Sequence, residues 1–181
     1  MNTIDSVIAK VIETEGGYVN NKADNGGETH FGITIEVARV NGYNGAMAEM
    51  PRVVAEAIYR KRYISEPKFD QVLAINEQIG IELIDTGVNM GPARAAEYLQ
   101  RWLNGFNVIG SGYQDLFVDG RLGSVSINAL GRFLDSRGVE GVRVLLRGLN
   151  GSQAARYLEL TEQNKTQRQF LYGWVRARVE V

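Results

Sequence analysis

Ile4-Asp5-Ser6-Val7-Ile8-Ala9-Lys10-Val11-Ile12-Glu13-Thr14-Glu15-Gly16-Gly17 carries its apolar side chains at helical spacing and stops at two glycines. Ile4, Val7, Ile8, Val11 and Ile12 form one stripe, and Glu15 follows at the three- and four-residue steps that keep it on that face. A carboxylate there is disfavoured in its charged form twice, by desolvation and by the negative end of the helix dipole. Both effects raise its pKa, which is what a general acid working near neutral pH requires. Glu13 projects about 200° around the helix from Glu15 and reads as a solvated carboxylate. Gly16 and Gly17 end the helix and let backbone approach a ligand closely. From position alone, a helix-terminal glutamate paired with an arginine is the better account of Glu15, because buried acids are more often ion-paired than catalytic.

Beyond the glycines, Asp24-Asn25-Gly26-Gly27 is strong turn chemistry, and Thr29 to Ile33 alternates as a short strand or hairpin arm. The remaining apolar patterns are helical. Helices are predicted near 5–15, 35–41, 51–64, 74–89, 92–104, 124–137, 139–149, 151–163 and 166–179. Pro51 and Pro92 suit first-turn positions, and Ser124 suits an N-cap. The expected fold class is mainly α with a short β hairpin or loop after the first helix. No repeat or Ser/Pro-rich linker interrupts the 181 residues. A division into 1–92 and 93–181 is expected, the two halves packed as one compact unit.

Composition removes several chemistries. With no cysteine there is no disulfide framework, thiolate metal site or thiol nucleophile. His30 is the only histidine, so neither a Ser/His/Asp triad nor a multi-histidine metal site is available. Asp24, Glu28 and His30 match no common metal-ligand spacing, and orientation of the loop is the expected role of His30. No phosphate-binding Gly-x-x-x-x-Gly-Lys-Ser/Thr run occurs, and neither a cofactor nor a nucleic-acid partner is expected. No apolar stretch reaches the ~20 residues that span a bilayer, and the amino terminus has no basic leader, so synthesis in the cytoplasm is expected. Residues to Pro92 hold 8 Lys+Arg against 13 Asp+Glu, and those from Ala93 hold 12 against 8. The carboxyl half is therefore the side suited to an anionic partner.

Cleavage of a glycosidic bond needs a second group opposite the acid, a carboxylate acting as nucleophile or as base toward water. Asp24 lies nine residues after Glu15 in a glycine-rich turn, and Thr29 follows with a hydroxyl able to orient water. Glu15, Asp24 and Thr29 form a chemically complete set, although a turn aspartate and a strand threonine also serve as ordinary hydrogen-bonding turn residues.

The run from Glu15-Gly16-Gly17-Tyr18 through Asp24-Asn25-Gly26-Gly27-Glu28-Thr29-His30-Phe31-Gly32-Ile33-Thr34 resembles the signature of the phage and prophage muramidases of glycoside hydrolase family 108. The Glu/Asp/Thr order also resembles that of T-even-type phage lysozymes, with one residue fewer between Asp24 and Thr29, and implies a lysozyme-like helical fold. Ala57-Ile58-Tyr59-Arg60-Lys61-Arg62-Tyr63 and Asp85-Thr86-Gly87-Val88-Asn89-Met90-Gly91-Pro92 are similar to later stretches of that family. In the carboxyl half, Asp119-Gly120-Arg121-Leu122-Gly123 resembles the entry of small peptidoglycan-binding domains, and Phe170-Leu171-Tyr172-Gly173-Trp174 resembles the family's terminal helix.

The resemblance implies that Glu15 is the acid of an N-acetylmuramidase, with Asp24 and Thr29 completing the catalytic set. It further implies that Tyr18, His30, Tyr63 and Asn89 contact the glycan, and that the carboxyl half recognises peptidoglycan. From the residues themselves, helix capping is the better account of Asn89, and core packing of Trp174. A monomeric endolysin reaching the wall through a holin-type pore is the expected setting. Two alternatives stay open. A lytic transglycosylase needs one glutamate alone, and a non-catalytic wall-binding virion module needs none.

Overall fold

The computed structural model describes residues 3–20, 27–108 and 112–179, apart from the side chains of Thr3, Lys10, Thr14, Glu15, Asn20 and Ala177. Asp24, Asn25 and Gly26 of the expected turn lie outside the described residues. The chain is mainly α, with a short antiparallel sheet directly after the first helix, the arrangement expected of a lysozyme-like fold. It divides into two compact units, Met1–Glu66 and Pro67–Val181.

In the first unit, α1 (Thr3–Glu15) leads into β1 (Val19–Asn20), β2 (Glu28–His30) and β3 (Ile33–Thr34), then α2 (Ile35–Val40), a 3₁₀ turn (Met47–Glu49), α3 (Arg52–Arg60) and a π turn (Lys61–Ser65). Ile8 and Ile12 of the apolar stripe are buried, and Ile4, Val7 and Val11 are half-buried. Glu13 is on the far side, its side chain 70% exposed and 3.9 Å from the Arg52 guanidinium. Asp5 pairs with Arg60 at the other end of the same two helices, so α1 and α3 run antiparallel. The helix expected over 51–64 starts one residue later, with Pro51 as its N-cap in an extended conformation rather than within its first turn.

In the second unit, α4 (Phe69–Ile75), α5 (Glu77–Met90), α6 (Pro92–Phe106), α7 (Ser124–Gln163), a 3₁₀ turn (Lys165–Gln167) and α8 (Arg168–Arg178) bury Phe69, Val72, Ile79, Leu83, Ile84, Leu99, Leu103, Leu130 and Leu145. α4 and α5 replace the single helix expected over 74–89. Asn76 separates them, its side chain accepting from the Ile79 N–H at 3.0 Å as the cap of α5. Gly123, not Ser124, is the N-cap of α7. Gly138 breaks α7 as expected, at φ 58°, ψ −147°. The second break expected at Asn150-Gly151 is absent, because Asn150 is buried and its amide donates to the Leu146 carbonyl at 3.1 Å and to Glu82 at 3.3 Å.

Ahead of α7, residues 112–123 form neither helix nor strand and are held by side chains of α6. Asn104 donates to the Leu116 carbonyl at 2.8 Å and accepts from the Leu116 N–H at 2.7 Å. One turn earlier, the buried Gln100 accepts from the N–H groups of Asp119 and Gly120 at 3.1 and 3.0 Å and donates to the Asp119 carboxylate at 2.9 Å. This amide, with the Arg121 N–H, holds the Asp119 carboxyl below the ordinary aspartate range. The stabilisation is present above the unfolded aspartate value and is lost as pH falls through the lowered one. Gln100→Leu strands the buried Gly120 N–H and is expected to cost about 3 kcal/mol, lowering Tm by roughly 6–12 °C in calorimetry.

Candidate active site

α1 terminates at Glu15, and Gly16 follows at φ 81°. That conformation is open to glycine without strain and turns the chain out of the helix axis into β1. β1 and β2 pair antiparallel with Val19 opposite Thr29, and β2 and β3 pair with Thr29 opposite Thr34 and His30 opposite Ile33. Thr29 is thus the central residue of the central strand, half-buried, on the same sheet face as Val19 and Thr34. Asp24, expected between β1 and β2, lies outside the described residues.

Tyr18 is 40% exposed and meets the His30 ring edge-on, with centroids 6.1 Å apart. The His30 Nδ1 atom is 2.7 Å from the Met47 carbonyl oxygen. A carbonyl only accepts, so Nδ1 carries the hydrogen and Nε2 is the nitrogen left for other partners. The same ring stacks on Phe31 at 4.0 Å and 12°. Tyr18, Thr29 and His30 are therefore gathered on and beside one sheet, immediately after the helix that ends in Glu15.

The β2–β3 turn consists of Phe31 at φ 52° and Gly32 at φ 71°. Positive φ at both central positions is the geometry a two-residue hairpin favours, but an aromatic residue there costs on the order of 1–2 kcal/mol. Tyr59 holds it in place by donating its hydroxyl to the Phe31 carbonyl at 2.9 Å. The sequence pointed to Asp24-Asn25-Gly26-Gly27 as the turn, and nothing local marked Phe31.

Tyr63 comes to the β3 side of the same sheet from the π turn that follows α3. It stacks on Tyr59 with centroids 5.4 Å apart and borders a cavity of about 170 Å³ with Gly32, Thr34, Val37, Tyr59 and Arg62. Arg62, which the sequence did not single out, has its guanidinium carbon 5.7 Å from the Tyr63 ring centroid.

Asn89 lies in the second unit, in the last turn of α5, where its amide donates to the Asp85 carbonyl at 2.8 Å. Asp85 also accepts from Arg178 at 2.9 Å and from Gln153 at 3.2 Å. Beside them, burial pushes the Tyr157 hydroxyl up to about 12. Trp174 packs against Tyr157 and Phe170, at 5.2 and 5.9 Å. Among the described residues no group of three or more histidine, aspartate or glutamate side chains is arranged to hold a metal ion.

Residues 8–91 match the family model described as Glycosyl hydrolase 108, and residues 94–179 match the one described as Predicted Peptidoglycan domain. None of the curated proteins matches the sequence. Among solved structures, SagA of Brucella abortus aligns over 99% of this chain and 97% of its own, with a TM-score of 0.61 and 21% identity, a likeness of fold. Residues 8–91 thus belong to glycosyl hydrolase family 108 and residues 94–179 to a peptidoglycan-binding family, and the chain is a glycoside hydrolase directed at peptidoglycan.

Proposed function

We propose that the protein is an N-acetylmuramidase of the lysozyme type that hydrolyses the β-1,4 bond between N-acetylmuramic acid and N-acetylglucosamine. Glu15 protonates the glycosidic oxygen, Asp24 stabilises the developing positive charge or activates water, and Thr29 positions that water. Tyr18 and His30 contact the glycan beside them, Tyr63 contacts it farther along, and Asn89 caps its helix or meets substrate amides. The observation that carries the reading is the abrupt end of α1 at Glu15, next to a hairpin whose central strand holds Thr29, within the segment that matches the hydrolase family. No cofactor takes part.

Product analysis separates this reading from a lytic transglycosylase. Digestion of purified sacculi is expected to release fragments with reducing ends at the full hydrolytic mass. Fragments lighter by one water would identify the transglycosylase, and binding to sacculi without new reducing ends would identify a wall-binding module. Among the described residues no helix is long and apolar enough to cross a membrane. In the proposed setting the enzyme acts as a monomeric endolysin, made in the host cytoplasm and passing to the wall through a holin-type pore supplied by another protein.

A further inference from the structure

We propose that the cavity beside Arg62 and Tyr63 is a binding site for a carboxylate-bearing part of the peptidoglycan strand. The proposal rests on peptidoglycan being the substrate. Arg62 supplies the charged recognition group and Tyr63 the apolar wall.

Arg62 differs from its neighbours in its partners. Arg52 pairs with Glu13 and Glu56, and Arg60 pairs with Asp5, whereas Arg62 has no acidic partner among the described residues. Its guanidinium lies over the Tyr63 ring, which orients the group without neutralising it. A planar guanidinium with its charge uncompensated suits the two oxygens of a carboxylate. The cavity, about 170 Å³, is equivalent to roughly five or six waters at liquid density. That is room for a carboxylate on a short aliphatic stem and too little for a disaccharide.

The walls are fixed before any ligand arrives. Tyr59 is committed to the Phe31 carbonyl and Thr34 to the Val37 N–H, at 2.9 and 3.3 Å. Arg62 and Tyr63 sit in a π turn closed by the Glu66 N–H donating to the Lys61 carbonyl at 2.9 Å, a geometry rare in helices and concentrated at functional sites. The cavity also adjoins the sheet that carries Thr29: Ile33 and Thr34 line it, and Thr34 is the cross-strand partner of Thr29.

Peptidoglycan offers two kinds of carboxylate with this chemistry, those of the stem peptide and, where the stem has been removed, that of the lactyl group of muramic acid. The test uses the full chain as wild type, Arg62→Gln and Arg62→Lys. The substrates are soluble glycan strands with stem peptides, the same strands freed of stems by an amidase, and strands with every carboxylate converted to an amide. Arg62→Gln is expected to raise KM about tenfold or more on a carboxylate-bearing strand, with kcat unchanged, and Arg62→Lys to recover part of the loss. An effect on stem-free strands alone assigns the lactyl group, whose carboxyl is an amide until the amidase frees it; an effect on stem-bearing strands alone assigns the stem, and an effect on both shows that the site takes either carboxylate. On fully amidated strands wild type and Arg62→Gln are expected to coincide. Equal KM for the two on both carboxylate-bearing strands, or an undiminished difference on amidated ones, overturns the site while leaving the muramidase reading intact.

A binding measurement separates the site from the chemistry. In an NMR titration, N-acetylmuramic acid is expected to shift the resonances of Arg62 and Tyr63. N-acetylglucosamine, which lacks only the lactyl group, is not, and neither is a stem-derived alanyl-glutamate dipeptide if the lactyl group is the ligand. Shifts at these residues without any strand cleavage would sink the enzymatic reading alone. No shift with either carboxylate ligand would overturn the site.

Discussion

Glu15→Gln is expected to lower the rate of sacculus hydrolysis by roughly 10²–10⁴-fold, the usual contribution of a positioned general acid. Glutamine keeps the length and most of the hydrogen-bonding capacity of the side chain but has no proton to give the leaving oxygen. Glu15 is the last residue of α1, ahead of a glycine that ends the helix, so the substitution removes no helix interior and Tm should stay within about 1 °C of wild type. Strand binding, measured by co-sedimentation with sacculi, should persist. Wild-type turnover by this variant would remove Glu15 from the mechanism. Asp24→Asn is expected to be severely impaired as well; near-normal rates would instead leave Thr29 and water to oppose the acid.

The second large effect concerns where the protein is cut. Expressed alone, residues 1–92 are expected to fail to form a cooperative fold over α4 and α5, while 67–181 folds by itself. The two family matches meet between residues 91 and 94, whereas the compact units meet between Glu66 and Pro67. α4 and α5 therefore match the hydrolase family but pack with the helices of the carboxyl segment. Phe69, Val72, Ile79, Leu83 and Ile84 are at most 1% exposed in that setting. At roughly 1.5–3 kcal/mol for each buried side chain, their burial is comparable to the entire stability of a domain. Circular dichroism and hydrogen exchange on both fragments check this. A 1–92 fragment that melts as sharply as the full chain and protects the α5 amides would contradict it.

Features of the fold with a strong local period were legible in the sequence. The stripe from Ile4 to Ile12 marked both the buried face of α1 and its end, because one side chain every three or four residues leaves little freedom. α4 was not legible. Its seven residues span two turns, and it starts after Pro67 and Lys68, the latter at φ 62°. Asn150-Gly151 carries turn composition but is helical, since the bond from Asn150 to Glu82 joins residues 68 apart and overrides the local preference. The candidate site divides in the same way. Glycines and turn chemistry pointed to Glu15 and Asp24, while the grouping of Arg62, Tyr63 and the hairpin depends on the bond between Tyr59 and Phe31, 28 residues apart.

The π turn at Lys61–Ser65 has a meaning for how this enzyme varies over time. A π turn is what a one-residue insertion becomes once a helix has absorbed it. Deleting a residue inside it returns the segment to α periodicity and rotates the side chains after the deletion by roughly 100° about the axis. Chain length at this point, as much as side-chain identity, therefore decides which residues share the cavity with Tyr59. A relative with one residue fewer here would present a different wall to the glycan even if Arg and Tyr were both kept.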